Sequence, residues 1–527
     1  MTQSTDSPGE RPRADNPLTK AKRGVPKAQT PWEILALVRP LDLPDRPQFL
    51  QPFLDLASRL PRAERDAVVL AGREVFRYRV ATVHEEIDKR TKEEGGRTVT
   101  EVSVITEAWM AELAYRPGTD RPLGYLVYRF ADDSIQWVDK LQDGKTTYVP
   151  PLSNLIESGT VLLPSGYEEY GTDSDLFAHI QHYLSAWIQL ENLSFRTLVA
   201  TYILMTWVFD RFDALPYLRP QGDFSSGKSR LLQVVGFVCF RPVMATGGAT
   251  PAALFRIIHK FHPTLVIDEA DFSGGDEAHE IIRILLAGYQ KGFSVLRAER
   301  TASDNFDVAS YDCFCPKLVA SRRRFADPAL ESRCLSYTMP LLPDIAKDMP
   351  LVLGPEFRSE ALRLRNMLLL WRFRNWRTVQ VDPTLRIEGG EPRVNQIIQP
   401  LIASVPEGPV RSAIVEMAQA YSRDVQSERR ESLEGIVAQA LLLAWRRTGY
   451  ADRVLLKDIT PVAQEDFPRV GPERVGNIIR RILGFETRRG GGLSWVLTPL
   501  PQIRTLAVRY GLSADVPPAS PPSGPTS

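Results

Sequence analysis

At 527 residues the chain is longer than one hydrophobic core supports, so about three domains are expected. Lys+Arg 65 against Asp+Glu 64 leaves a formal charge of +1, which excludes a global field holding the protein on nucleic acid; such binding must come from local patches. Four cysteines without a C-x-x-C pair exclude a secreted disulfide scaffold and point to reduced thiols in the cytoplasm.

Residues 1–30 mix Ser, Pro, Gly, Arg and Lys without periodicity, the composition of a disordered arm. Residues 31–150 form an accessory α+β region, helical to about Asp88 by the spacing of Phe49, Phe53, Leu56 and Leu60. A charged turn, Lys89–Arg97, follows, and then Leu123–Phe130 and Ile135–Val138 alternate around a polar turn as an antiparallel hairpin. A helix starts near Asp173 or Ser174 and continues through Leu176, Ile180, Leu184 and Trp187. The apolar stretch from Leu198 to Phe209 is too short to cross a bilayer and reads as a buried helix, so no membrane partner is expected.

Gly222-Asp223-Phe224-Ser225-Ser226-Gly227-Lys228-Ser229 fits G-x-x-x-x-G-K-[ST], whose glycines let backbone N–H groups turn inward on phosphate oxygens. In this reading the stretch Gly222–Arg230 binds ATP, Lys228 reaches the β and γ phosphates, and Ser229 offers a hydroxyl to Mg²⁺. The helix opening at Lys228 aims its positive end at the same charge. Pro216 and Pro220 require the strand before the loop to be short or to lie where prolines are tolerated. Thr250-Pro251 starts another helix. Leu265-Val266-Ile267 reads as a central parallel strand that delivers Asp268 as a Mg²⁺ ligand and Glu269 as the base for an attacking water. His179/His182 and His259/His262 lack further ligands at metal spacing and read as solvated helix faces.

Beyond Glu269 an inserted hairpin carries Lys291, Arg297 and Arg300 as DNA-facing cations. The strand Pro316–Ser321 ends in a small polar residue, followed by Arg322-Arg323-Arg324 and then by Leu330-Glu331-Ser332-Arg333. Phosphate loop, acidic strand, basic hairpin, polar strand end and Leu-Glu-Ser-Arg, in that order, resemble the AAA+ ATPases. The resemblance is to the branch holding superfamily 3 and minichromosome-maintenance helicases, and within it to ATPases of bacterial and phage mobile elements. It implies a P-loop AAA+ core over 151–345, self-assembly into a ring or filament, and replication or mobile-element proteins as partners. It also implies that Ser321 senses the γ phosphate and that Arg333 acts as an arginine finger on a neighbouring subunit's ATP; a surface ion pair with Glu331 or a nearby acid is the alternative role for Arg333.

Residues 346–450 read as a helical lid, in which the arginines between Arg358 and Arg377 form an exposed face or supply a second ATP sensor. Over 451–512, helix, helix and glycine-tipped hairpin resemble a winged helix. Arg474, Arg480, Arg481, Arg488 and Arg489 would contact DNA phosphates there, and Asn477 a base edge. The Pro/Ser-rich residues 513–527 read as a disordered tail. The whole is an α/β chain expected to be an ATP- and Mg²⁺-dependent motor on DNA, with an ATP-gated loader and a nucleotide-switched regulator as alternatives.

Overall fold

A computed structural model describes residue 28 and residues 30–512 other than 59, 61, 81, 85, 88–96, 247, 273–274, 301–305, 342–348 and 389–390. Residues 1–27 of the expected arm, the tail 513–527 and most of the charged turn at 89–97 lie outside them. Two compact units divide between Leu152 and Ser153.

The first unit opens with helices α1 (Pro31–Val38), α2 (Leu50–Ser58) and α3 (Arg62–Phe76). Thr30 caps α1 by accepting the Glu33 N–H, and Pro31 takes the first helical position, where its missing N–H has no intrahelical role. Ile34, Val38, Phe53, Val68 and Val69 bury together as the core of this bundle. Seven strands follow: β1 (Arg97–Thr100), β2 (Ser103–Ile105), β3 (Trp109–Tyr115), β4 (Leu123–Arg129), β5 (Ile135–Val138), β6 (Leu141–Asp143) and β7 (Thr146–Val149). The expected hairpin is β4–β5, within an antiparallel sheet β2-β3-β4-β5, while β1, β7 and β6 form a second sheet.

The second unit is mixed α/β around a five-stranded, all-parallel sheet. Its first elements are α4 (Asn154–Glu157), α5 (Asp173–Trp187), α6 (Leu193–Trp207), β8 (Tyr217–Gln221), α7 (Lys228–Gly236), β9 (Val243–Thr246), α8 (Pro251–Phe261) and β10 (Leu265–Asp268). Then come α9 (Asp276–Ala287), β11 (Ser294–Arg300), β12 (Phe306–Asp312), β13 (Lys317–Val319), α10 (Pro328–Glu331) and β14 (Cys334–Thr338). The strand order is β14-β8-β13-β10-β9, and α7 packs across β8, β10 and β13. Thr172 caps α5 in a reciprocal pair with Asp175, one residue before the expected start. Every residue of α6 from Leu198 to Trp207 is buried, as an apolar helix without a polar face must be. Among the described residues no helix is long and apolar enough to cross a membrane.

Pro220 sits inside β8, between two neighbours. The ladder to β13 runs from Tyr217 to Leu218 and resumes only as a single bridge from Gln221 to Ser321, so it lapses where the proline lacks a donor.

The chain continues through α11 (Pro355–Asn375), α12 (Pro392–Ala403), α13 (Pro409–Glu431), α14 (Leu433–Arg447), β15 (Arg453–Leu455), α15 (Leu456–Asp466), α16 (Pro472–Arg481), β16 (Thr487–Gly490), β17 (Leu493–Leu497) and α17 (Leu500–Tyr510). These segments pack with the sheet as one unit. Arg363 pairs with Glu168, and the Arg372 guanidinium holds Asp210 through two bonds of 2.8 Å. Arg365 and Arg372 are buried while Arg358 and Arg363 are exposed, which corrects the reading of the α11 arginines as one exposed face. Burial lowers the Arg365 guanidinium to about 10. At the far end, Val454, Val475, Ile479, Phe485 and Val496 close a core beneath the antiparallel sheet β15-β17-β16.

All four cysteines are free and buried, and burial pushes the thiols of Cys239, Cys313 and Cys334 up to about 12. His259 Nδ1 accepts the Asp312 N–H at 3.1 Å, and the His262 pKa is lowered by desolvation. His259 is exposed, as expected of a solvated face, but its ring lies 5.4 Å from that of Tyr311 on β12, and His262 is partly buried.

Candidate nucleotide site and arginine surfaces

The loop from Gly222 to Gly227 links β8 to α7. Gly222 has φ +153°, and a Cβ there would stand 3.0 Å from Ser226 Oγ and 3.1 Å from the Met339 carbonyl. Gly227 has φ +83°, which an L side chain adopts only under strain, and it passes directly into the first turn of α7. Lys228 Nζ lies within the loop, donating to the Gly222 and Asp223 carbonyls at 2.8 and 2.6 Å and to Ser226 Oγ at 3.3 Å. Asp223 Oδ1 accepts the Phe224 N–H, and Ser225 takes a positive φ, so the turn is held from inside.

Two strands away, β10 ends at the same sheet edge. Asp268 Oδ1 accepts the Glu269 N–H at 2.9 Å, and Glu269 adopts a left-handed φ of 56°, an uncommon conformation for a non-glycine residue. Ser229 and Asp268 line one cavity of about 510 Å³, with Thr246 at the end of β9 and Phe237, Phe357 and Arg358 among its other walls. Hydroxyl and carboxylate oxygens are what a hard divalent cation takes, and Mg²⁺ keeps the rest of its shell for water and phosphate. The donor set therefore fits Mg²⁺, and among the described residues no group of three His, Cys, Asp or Glu offers an alternative metal site.

Arg230 does not face this mouth. Its guanidinium donates to the carbonyls of Trp187, Pro350 and Leu351, and burial lowers its pKa. It props the segment bearing Val352 and Leu353, which line the cavity. Arg358, exposed in the first turn of α11, reaches the cavity from a helix pinned by Arg363, Arg365 and Arg372. Thr246 carries no local signal; only its register with Asp268 brings it here.

Ser321 follows β13, between the loop strand and the acidic strand. Its Oγ donates to the Arg323 carbonyl at 2.8 Å and its N–H to the Pro220 carbonyl at 3.3 Å. Arg333 lies at the opposite end of the sheet. Its carbonyl accepts the N–H of Tyr217, the first residue of β8, and its guanidinium sits 4.9 Å from the Tyr289 ring and donates to the Ala329 carbonyl. The alternative pairing with Glu331 is not made: Glu331 binds the buried Arg219 at 2.6 Å.

The two proposed DNA surfaces differ. Lys291 Nζ donates to the Asp210 carbonyl at 2.5 Å, and Arg297 pairs with Glu280 at 3.3 Å beside the Phe255 ring. For Arg300 only the backbone, at the end of β11, is described. Arg474, Arg480, Arg481, Arg488 and Arg489 are all exposed; Asn477 accepts from Arg480 at 2.6 Å, and Arg488 pairs with Glu486 at 2.9 Å.

No family model and no curated protein matches the chain. Among solved structures, the A form apo structure of the NrS-1 C-terminal region is similar over 74% of this chain and 96% of that one, at 10% identity and a TM-score of 0.34. A second apo structure of that region has 11% identity with the same coverages and TM-score. Drosophila ORC bound to DNA overlaps 67% of this chain and 98% of its own at 13% identity, with a TM-score of 0.17. Similarity this loose carries no argument, and the site rests on its own geometry.

Proposed function

We propose that the chain is an ATP-hydrolysing AAA+ motor that acts on DNA, as a helicase or translocase of a mobile genetic element. One observation carries the reading: the glycine loop and the Asp268-Glu269 pair end at one edge of a parallel sheet, with Ser229 and Asp268 in a single cavity. The sheet order supports it, since the loop follows the first strand and the acids the third, with the fourth strand between them. The hairpin β11–β12 inserted before that fourth strand also fits the resemblance, as α15, α16 and β16–β17 fit a winged helix.

Arrival of a triphosphate requires Lys228 to exchange its loop carbonyls for phosphate oxygens, while the N–H groups opening α7 face the same charge. Ser229 and Asp268 would hold Mg²⁺, which supplies charge neutralisation on the phosphates. Glu269 accepts the proton of the attacking water, and Arg358 faces the phosphates from the cavity wall. Arg333 is separated from its own loop by the length of β8, roughly 16 Å at the usual strand rise, so it serves only a neighbouring subunit.

Purified protein should hydrolyse ATP with stimulation by DNA, and Lys228→Ala or Glu269→Gln should abolish turnover; wild-type rates in both variants would remove the assignment. One observation favours an ATP-gated loader: Lys291 and Arg297 are engaged by their own chain, leaving the charged surface on α16 and its hairpin. ATP-dependent DNA binding without strand displacement would select the loader.

A further inference from the structure

We infer that Arg323 is a catalytic cation that this chain supplies in cis to the terminal phosphate, an inference resting on the ATPase reading above. The segment 321–327 emerges from the end of β13, between the strand that bears the glycine loop and the one that bears the acids. Ser321 fixes its start through the Arg323 carbonyl. Arg322 is pinned by Asp271, which accepts its N–H at 2.9 Å and its Nε at 3.0 Å, and its guanidinium lies 4.7 Å from the Phe224 ring at the loop tip. Arg324 pairs with Glu428, and the Phe325 N–H donates to Glu331 at 3.0 Å.

The backbone around Arg323 is therefore held on both sides, whereas the Arg323 side chain is exposed and has no hydrogen-bond or ion-pair partner among the described residues. It lines a cavity of about 690 Å³ together with Asp223 and Phe224 of the loop and Ala270, next to Glu269. Holding the backbone through both neighbours leaves the Arg323 guanidinium unpaired beside the loop tip, where it can donate to developing phosphate charge. In the step, the water oxygen bonds to the γ phosphorus and the bond to the β–γ bridging oxygen breaks. The water proton passes to Glu269, ADP leaves with the electron pair, and Arg323 donates N–H groups to the γ oxygens without gaining or losing a proton.

Arg323→Ala should lower kcat by at least about 10³-fold, the low end of what an arginine contributes at a transferring phosphoryl group. KM for ATP and the melting temperature should stay near wild type, and Arg323→Lys should recover part of kcat. Mixing Arg323→Ala with Lys228→Ala subunits separates cis from trans. A residue acting in cis leaves both kinds of site defective and the mixture inactive, so recovered turnover would overturn the inference, as would wild-type kcat in Arg323→Ala alone. Wild-type protein without ATPase activity, or Lys228→Ala protein retaining it, would instead remove the ATPase reading itself, and this inference with it.

Discussion

Two hairpins carry arginines, and they use them in opposite ways. In β11–β12 the strand period puts Arg297 and Glu299 on the side of Tyr311, facing α8 and α9, where Glu299 pairs with Arg256 and Arg297 with Glu280. The side left outward presents Leu296 and Val308, each more than 60% exposed. In β16–β17, Arg488 and Arg489 lie on an edge strand near a glycine turn, with Glu486 alone against Arg488. A cation is available to a partner only where its own side of the element does not pack, so counting basic residues along a hairpin does not locate a nucleic-acid surface.

The inward use of arginine is strongest at Arg372, so its removal should have the largest effect. Its side chain is 1% exposed, and it bonds both Asp210 oxygens and the Trp207 carbonyl, while Trp376 Nε1 donates to the same carboxylate. Arg372→Met should cost about 3–5 kcal/mol in chemical unfolding, because a partly buried carboxylate loses its counter-charge. Burial pushes the Asp210 pKa up, but the charge and hydrogen bonds of Arg372 and the Trp376 donor outweigh it and hold the carboxyl below its usual value. A depressed folded-state pKa stabilises above the unfolded value and is lost as pH falls through the folded one. The penalty of Arg372→Met should therefore be full at neutral pH and shrink in acid below about pH 4, near the ordinary Asp value. A fully stable variant would place Arg372 with the outward arginines.

The outward set comes next. If α16 lies on DNA, Arg480→Ala with Arg481→Ala should weaken binding evenly across sequences and flatten the salt dependence of log K by about 2, one unit for each lost phosphate contact. Asn477→Ala should leave that slope alone and relax preference at one base position. An unchanged slope in the double variant would mean that these arginines only meet solvent.

What was legible in the chain was local. The spacing of Gly222, Gly227, Lys228 and Ser229 predicts a turn running into a helix, and the apolar run Leu265–Ile267 predicts a strand ending at Asp268; the structure has both. Helix starts at Thr250-Pro251 and near Thr172 were readable for the same reason. Arg230 sits beside Lys228 in sequence, yet its direction depends on carbonyls 120 residues away at Pro350 and 121 away at Leu351. Arg358 reaches the same cavity only because α11 is tied down along its length, and Arg323 stands open only because Asp271 and Glu428 hold its neighbours. Period-two alternation said which hairpin residues share a side; it could not say which side packs.

The smallest effect tests that last point most directly. The Arg297–Glu280 pair is about a third exposed on both partners, at 30% and 37%, so solvent screens it. Arg297→Ala should cost less than about 1 kcal/mol and leave both DNA affinity and its salt slope where they were. Leu296→Arg, on the opposite side of the same strand, would present a new charge outward. If the hairpin tracks DNA, that variant should steepen the slope by about 1 while Arg297→Ala does nothing. Should Arg297→Ala instead flatten the slope by that amount, Arg297 leaves Glu280 for phosphate on binding, and this hairpin is itself a DNA contact.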